Sequence, residues 1–179
     1  GRVEGNSGLW INRFDLWGTG LTQRRVPYNG RNYEYISEDP MLTNRIGYGI
    51  LQGCADMGIM NGPKHMGFND QEHNRGGISA YMNEQKFRET DLRGFQGGLS
   101  DAKGLAVMIA FNRIGATNAS CYAPMIRDIL RGEWGFQGHV VSDCWAVRDF
   151  HENHHVTDTP AESTAMALKA GCDLNCGCT

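Results

Sequence analysis

Short apolar runs of β character alternate with polar loops and helix-period segments along this chain, and its fold has to satisfy that alternation. The runs are Gly20-Leu21, Gly58 to Gly62 leading into Lys64-His65, Leu105 to Phe111, Gly138 to Ser142, and Ala170 to Leu174. Between them Leu42, Ile46, Ile50, Cys54 and Met57 recur at helical spacing, as do Met125, Ile126, Ile129 and Leu130. Phe87, Leu92, Phe95 and Leu99 follow the same period less regularly. The last helix has the clearest boundaries. Thr159, Pro160 and Glu162 spell a capping box with proline at the first helical position, and Gly171 closes it.

Strands followed by helices imply parallel pairing through right-handed crossovers, because a parallel pair cannot be closed by a tight hairpin. The fold class is therefore α/β, and both a (β/α)8 TIM-type barrel and a doubly wound sheet fit. The barrel is favoured. Lys64-His65, Asn112-Arg113 and Asp143 each stand where an apolar run ends, and barrel enzymes gather their chemistry at strand C-termini. A complete barrel takes ~250 residues, so the 179 present are expected to form a partial barrel or a piece of a longer enzyme. The open sheet edges of such a piece are a liability. Association with another copy, or with further segments of the same protein, is the expected cover.

Composition narrows the partners. Lys and Arg number 17 against 20 Asp and Glu, with no basic block, so the electrostatic footprint of a nucleic-acid binder is missing. No run approaches the ~20 apolar residues of a membrane span, and no charged, apolar, small-residue leader opens the chain. Glycine, at 24 residues, is about twice its usual ~7% without a collagen period, which predicts many tight loops. Of the six cysteines, three crowd the C-terminal end. In a chain too long to be a disulfide-dependent miniprotein they read as free thiols.

Several residues carry candidate chemistry. Asp143 ends GFQGHVVSDCW, where a carboxylate at the mouth of a buried strand is held rigidly for nucleophilic or electrostatic work; the bland use is a cap for the next helix. Lys64-His65 ends another run, and a cation attached to an apolar strand has to meet an anion or a polar network. The loop FNDQEHNR that follows packs Asn69, Asp70, Gln71, Glu72, His73, Asn74 and Arg75 together, suited to a hydroxyl-rich ligand. Glu72 and His73 individually read as solvated. In PYNGRNYEYISEDP, Arg31 offers a planar fork of donors, with Glu34 close enough for a simple brace. His151, His154 and His155 near Cys172, Cys176 and Cys178 lack the paired spacing of structural zinc, so no metal site is expected. No Walker pattern or complete GxGxxG is present.

The strings GRNYEYISEDP, KHMGFNDQEHNR, NEQKFRETDLRGF, MIAFNRI, LRGEWGFQGHVVSDCW and AGCDLNCG occur in this order. Together, from about Gly18 to the C-terminus, they resemble the barrel domain of the family-three glycoside hydrolases, the β-glucosidases and β-xylosidases. The resemblance implies a retaining, exo-acting glycosidase with no metal or organic cofactor, acting on a small oligosaccharide or glycoside. It makes Asp143 the nucleophile and Arg31, Lys64, His65 and Arg75 the residues that hold the sugar hydroxyls. It also extends to a cis peptide between Lys64 and His65. The alternative class is a non-catalytic carbohydrate-binding or assembly module built on the same piece of barrel.

Departures from the family pattern shape these expectations. The acid/base Glu of the family usually comes from a second domain downstream, and Glu34, Glu72, Glu133 and Glu152 do not match its position. The early strands and a sugar-gripping Asp upstream are absent as well. The whole of 1–179 is thus expected to be part of the barrel domain, inactive in isolation. Cys144 stands where many relatives have Trp, with Trp145 next, and Phe111 replaces a common Tyr. SDC and DLNCG lean to the xylosidase-like branch, whereas KHMGFNDQEHNR and NEQ lean to the glucosidase-like branch.

Overall fold

A computed structural model describes residues 15–102 and 104–178; the single domain expected over 1–179 extends outside them at residues 1–14, 103 and 179. The chain begins with β1 (Asp15–Leu16), followed by α1 (Pro40–Asp56), β2 (Met60–Asn61) and β3 (Ser79–Ala80). A helical stretch, α2, covers 84–101. Next come β4 (Ala106–Met108), β5 (Arg113–Ile114), β6 (Thr117–Asn118), the helix α3 (Pro124–Glu133), β7 (His139–Val141), α4 (Asp149–Glu152) and α5 (Pro160–Ala170).

The apolar runs pair in chain order, all parallel. β1 pairs with β2, and β4 with β7 in the register Val107 to Val140. Single bridges connect the rest: Gly20 to Lys64, Met66 to Ile109 and Val141 to Leu174. Hydrogen bonds from Leu21 N to Lys64 O at 2.7 Å and from Met66 N to Met108 O at 2.9 Å continue the ladder. Both faces of these strands are covered: Leu21, Met66, Val107, Ile109, Ala110 and Val140 are all fully buried, as parallel sheets require. Ala170 to Leu174 behaves differently from expectation. Helix α5 runs to Ala170, Gly171 closes it in the left-handed region at φ 104°, and only Leu174 reaches the sheet.

The helices follow from local signals. Asp39 caps α1 by accepting from Met41 N at 2.7 Å and Leu42 N at 3.0 Å, with Pro40 in the first turn. Its buried residues are Thr43, Asn44, Gly47 and Leu51, and the apolar stripe of Leu42, Ile46, Ile50 and Met57 is exposed. The expected helix is present, therefore, but its apolar stripe does not face this core. Small side chains permit the contact that does form: a Cβ on Gly47 would stand 3.0 Å from Leu21. In α2 the irregular period has a physical cause. Leu92 N donates to Phe87 O at 2.9 Å and Ala102 N to Gly97 O at 3.1 Å, i→i+5 turns that widen the helix. Those turns bring Phe87, Leu92, Phe95 and Leu99 onto one buried face. A separate small sheet joins β3 to β5 in parallel and β5 to β6 in antiparallel.

Candidate active site

Because the strands share one direction, the residues that follow them collect at one end. Thr22, Lys64-His65, Asn112 and Asp143 are placed there by the strands at Gly20-Leu21, β2 with its extension, β4 and β7. Asp143 is buried. Its Oδ1 accepts from the Cys144 backbone N–H at 2.8 Å, while Oδ2 faces Arg75 Nη1 at 3.3 Å and His65 Nε2 at 3.8 Å. The carboxylate is thus more than a bracket for the next turn, since one whole oxygen is directed at cationic and imidazole groups. Burial pushes its titration up, opposed by Arg75, the Cys144 N–H and Arg31.

The Lys64–His65 peptide is cis. Thr22 clamps the His65 backbone at both ends: its hydroxyl donates to His65 O and accepts from His65 N, each at 3.1 Å. Lys64 Nζ meets Glu34 Oε2 at 3.2 Å, so the strand-borne cation has the anion its position demands. Glu34 also takes Arg31 Nε on its other oxygen. Close approach of strand and loop is essential here, because a Cβ on Gly20 would fall 2.3 Å from Glu34 O. The His65 ring is buried, with Nδ1 2.9 Å from Tyr35 Oη and Nε2 3.4 Å from Arg31 Nη2. Burial first, then Arg31, Lys64 and Arg75, hold its titration well below the usual imidazole range.

Glu72 corrects the reading of that residue as solvated. Its Oε1 lies 3.1 Å from Asn69 Nδ2 and 3.4 Å from both Arg31 Nη1 and Arg75 Nη1. It joins the two arginines on one acceptor, whereas His73 is exposed as expected. Arg75 also lies over the Phe111 ring, 4.5 Å from its centroid. All five residues singled out from the sequence, Asp143, Arg31, Lys64, His65 and Arg75, are therefore in one connected cluster. The brace between Arg31 and Glu34 is part of the same cluster. The sequence singles out neither Thr22 nor Tyr35, and Asn69 only as one polar residue of its loop; the YEY and FND strings hold no signal that a phenol and an amide turn inward.

One further expectation is corrected nearby. The six cysteines are not all free thiols: Cys144 and Cys176 form a disulfide, with Cα atoms 4.3 Å apart, because the β7 exit and the segment after Leu174 run side by side. Cys54, Cys121, Cys172 and Cys178 are free. The histidines near the C-terminal end make local bonds, His151 Nδ1 with Ser163 Oγ at 2.9 Å and His154 Nδ1 with Asn118 Nδ2 at 2.8 Å. Among the described residues no group of three or more His, Cys, Asp or Glu is arranged to hold a metal ion. A cavity of about 400 Å³ opens elsewhere, between Tyr81, Phe87, Tyr122 and Asp128, and does not include Asp143.

The sequence pattern of the glycosyl hydrolase family 3 N terminal domain matches residues 23–179. The chain belongs to glycosyl hydrolase family 3. A probable β-glucosidase J of Aspergillus fumigatus is 36% identical over 159 residues, covering 89% of this chain and 17% of that protein. A β-glucosidase of Bacteroides ovatus is 35% identical over 137 residues, 76% of this chain and 18% of the relative. Family 3 structures superpose closely too. A GH3 exo-β-xylosidase in complex with a xylobiose aziridine probe aligns with a TM-score of 0.89 at 26% identity, over 93% of this chain and 23% of its own. β-Glucosidase 3B of Thermotoga neapolitana in complex with glucose aligns at 0.79 and 34%, over 90% and 21%. The chain thus spans about a fifth of the length of these family 3 relatives.

Proposed function

We propose that the protein to which this chain belongs is a retaining, exo-acting glycoside hydrolase that releases terminal β-D-glucose or β-D-xylose. In this reading the parallel strands are an arc of a (β/α)8 barrel, and residues 1–179 are part of that barrel domain. The observation that carries the reading is the aim of Asp143 Oδ2 into a cluster containing Arg75 and His65, at the common end of the strands. The names of the relatives support the substrate class. Both sugars are kept, because β-glucosidases and an exo-β-xylosidase are all similar to this chain.

The chemistry follows from two carboxyl groups on opposite duties. An Asp143 oxygen forms a bond to the anomeric carbon as the bond to the leaving oxygen breaks, and that oxygen leaves with the electron pair and takes a proton from an acid. Water then cleaves the glycosyl ester, its proton passing to the conjugate base of the same acid, and the Asp143 carboxylate is released. Glu72 is poorly suited to be the acid, since its oxygen already accepts from three donors. The acid is assigned to a segment outside this chain. Arg31, Lys64, His65 and Arg75 are held before substrate arrives, so they orient the ring without reorganising.

A dinitrophenyl glycoside isolates the first step, because its leaving group departs without an acid. Mixed with the full-length protein, dinitrophenyl β-D-glucoside or β-D-xyloside should release phenolate in a burst, and Asp143→Gly should abolish it. An undiminished burst in the variant contradicts the assignment. Calorimetric binding of glucose or xylose with no burst supports the binding-module alternative.

A further inference from the structure

We propose that His154 is a positioning residue for Arg75: it ties the turn that carries this arginine to the same strand–helix unit, β7 and α4, that carries Asp143. The inference deepens the glycosidase reading and rests on it for its catalytic meaning. Arg75 opens a single helical turn, Arg75–Gly77, none of whose residues is buried. The bonds inside the turn, such as Gly77 N to Asn74 O at 2.9 Å, are local. A turn held only by itself can shift as a body, yet Arg75 Nη1 stands 3.3 Å from Asp143 Oδ2 and loses that contact with a small displacement.

His154 supplies the outside anchor. Its Nε2 meets Gly76 O, and because a backbone carbonyl only accepts, the nitrogen donates there. Asn118 Nδ2 lies 2.8 Å from Nδ1, so the imidazole is held at both nitrogens. Its backbone is fixed as well: His154 N donates to Asp149 O at 2.9 Å and Val156 N to Phe150 O at 2.8 Å, with Phe150 fully buried. The turn lies flush against this unit. A Cβ on Gly76 would stand 3.1 Å from Asp149 Oδ2 and 3.5 Å from Phe111 Cε1, and Phe111 is the ring over which the Arg75 guanidinium lies.

Arg113 Nη2 holds the next carbonyl, Gly77 O, at 2.9 Å. That contact is exposed and comes from β5, in the separate small sheet, so it does not fix the turn relative to Asp143. His154 does, because it follows Asp143 on the segment that leaves β7 and passes through α4. The consequence reaches the nucleophile. Arg75 is the cation that most opposes the effect of burial on the Asp143 carboxyl.

Two variants of the full-length protein separate the roles, since a glutamine amide can place an N–H where the imidazole Nε2 stands and leucine cannot. In His154→Leu the burst from dinitrophenyl β-D-glucoside should slow about tenfold or more, since a misplacement of ~1 Å can cost ~100-fold, and His154→Gln should recover most of the rate. The acid limb of the burst rate should move to higher pH in His154→Leu and stay in place in His154→Gln; His65, Arg31 and Glu72, the other groups facing Asp143, are the same in both. A crystal structure of His154→Leu should show Arg75 Nη1 out of hydrogen-bond reach of Asp143. Arg75 unmoved, an unshifted acid limb, or equal losses in the two variants overturns the proposal. Should the leucine variant not fold, Asn118→Ala frees the ring at Nδ1 and should give the same shifts in smaller measure, and no shift there overturns it too. If Arg75 moves as stated but the wild type gives no burst, the glycosidase reading fails and the positioning role stands. A wild-type burst with Arg75 unmoved in His154→Leu does the reverse.

Discussion

Lys64 shows how single residues settle the site. A lysine joined to a buried strand needs an anion, and the structure supplies Glu34 at 3.2 Å. That demand was legible in the sequence; the identity of the partner, 30 positions upstream, was not, because only the fold brings the two loops together. Asp91 carries the same physics outside the site. It is buried in α2 beside Arg25, with Oδ1 3.6 Å from Arg25 Nε, and Arg25 also binds Asp70 of the site loop. Burial outweighs Arg25, and the carboxyl rises from 3.8 to about 6. A folded value above the unfolded one gives stability that is fully present below the unfolded value and lost as pH rises through the folded one. Between about pH 4 and 7 the wild type should therefore lose on the order of 2–3 kcal/mol more than Asp91→Asn. Urea unfolding at both pH values measures the difference, and parallel curves for the two proteins contradict it.

At the scale of elements, local chemistry was the most readable part of the sequence. Thr159 accepts from Glu162 N at 3.2 Å, Glu162 Oε2 accepts from Thr159 N at 3.0 Å, and Gly171 ends the helix, as the spelling predicts. Thr159→Ala should cost about 1 kcal/mol, seen as a lower midpoint in thermal unfolding, and an unchanged midpoint would show that α5 is held by packing alone. The widened turns of α2 were less legible, because the step from Phe87 to Leu92 matches neither 3.6 nor 2 residues and makes sense only once the i→i+5 bond is present. The stripe on α1 misled differently. Its period was real, yet the helix turns Thr43, Asn44, Gly47 and Leu51 to the core, since small residues allow closer approach to Leu21 than leucine or isoleucine would.

Across the whole molecule, parallel pairing of the apolar runs and the place of Asp143 at the end of one of them could be anticipated from the alternation of runs and loops. The disulfide could not. Cys144 and Cys176 are 32 residues apart in sequence and become neighbours only through the Val141 to Leu174 bridge. Closing a loop of that length removes about 3–4 kcal/mol of unfolded-chain entropy. The paired change Cys144→Ser with Cys176→Ser should lower the unfolding free energy by about 2–4 kcal/mol, and equal denaturant midpoints for oxidised and variant protein would refute a constraining role. The bridge also ties the residue after Asp143 to the end of the sheet, so the site and the fold are tightened at one place. As proposed above, Asp143 attacks the sugar. Peptide mapping by mass spectrometry after incubation with a dinitrophenyl 2-fluoro-glycoside tests this most directly: the added fluoroglycosyl mass is predicted on the peptide that contains Asp143, and the same mass on any other carboxylate would contradict it.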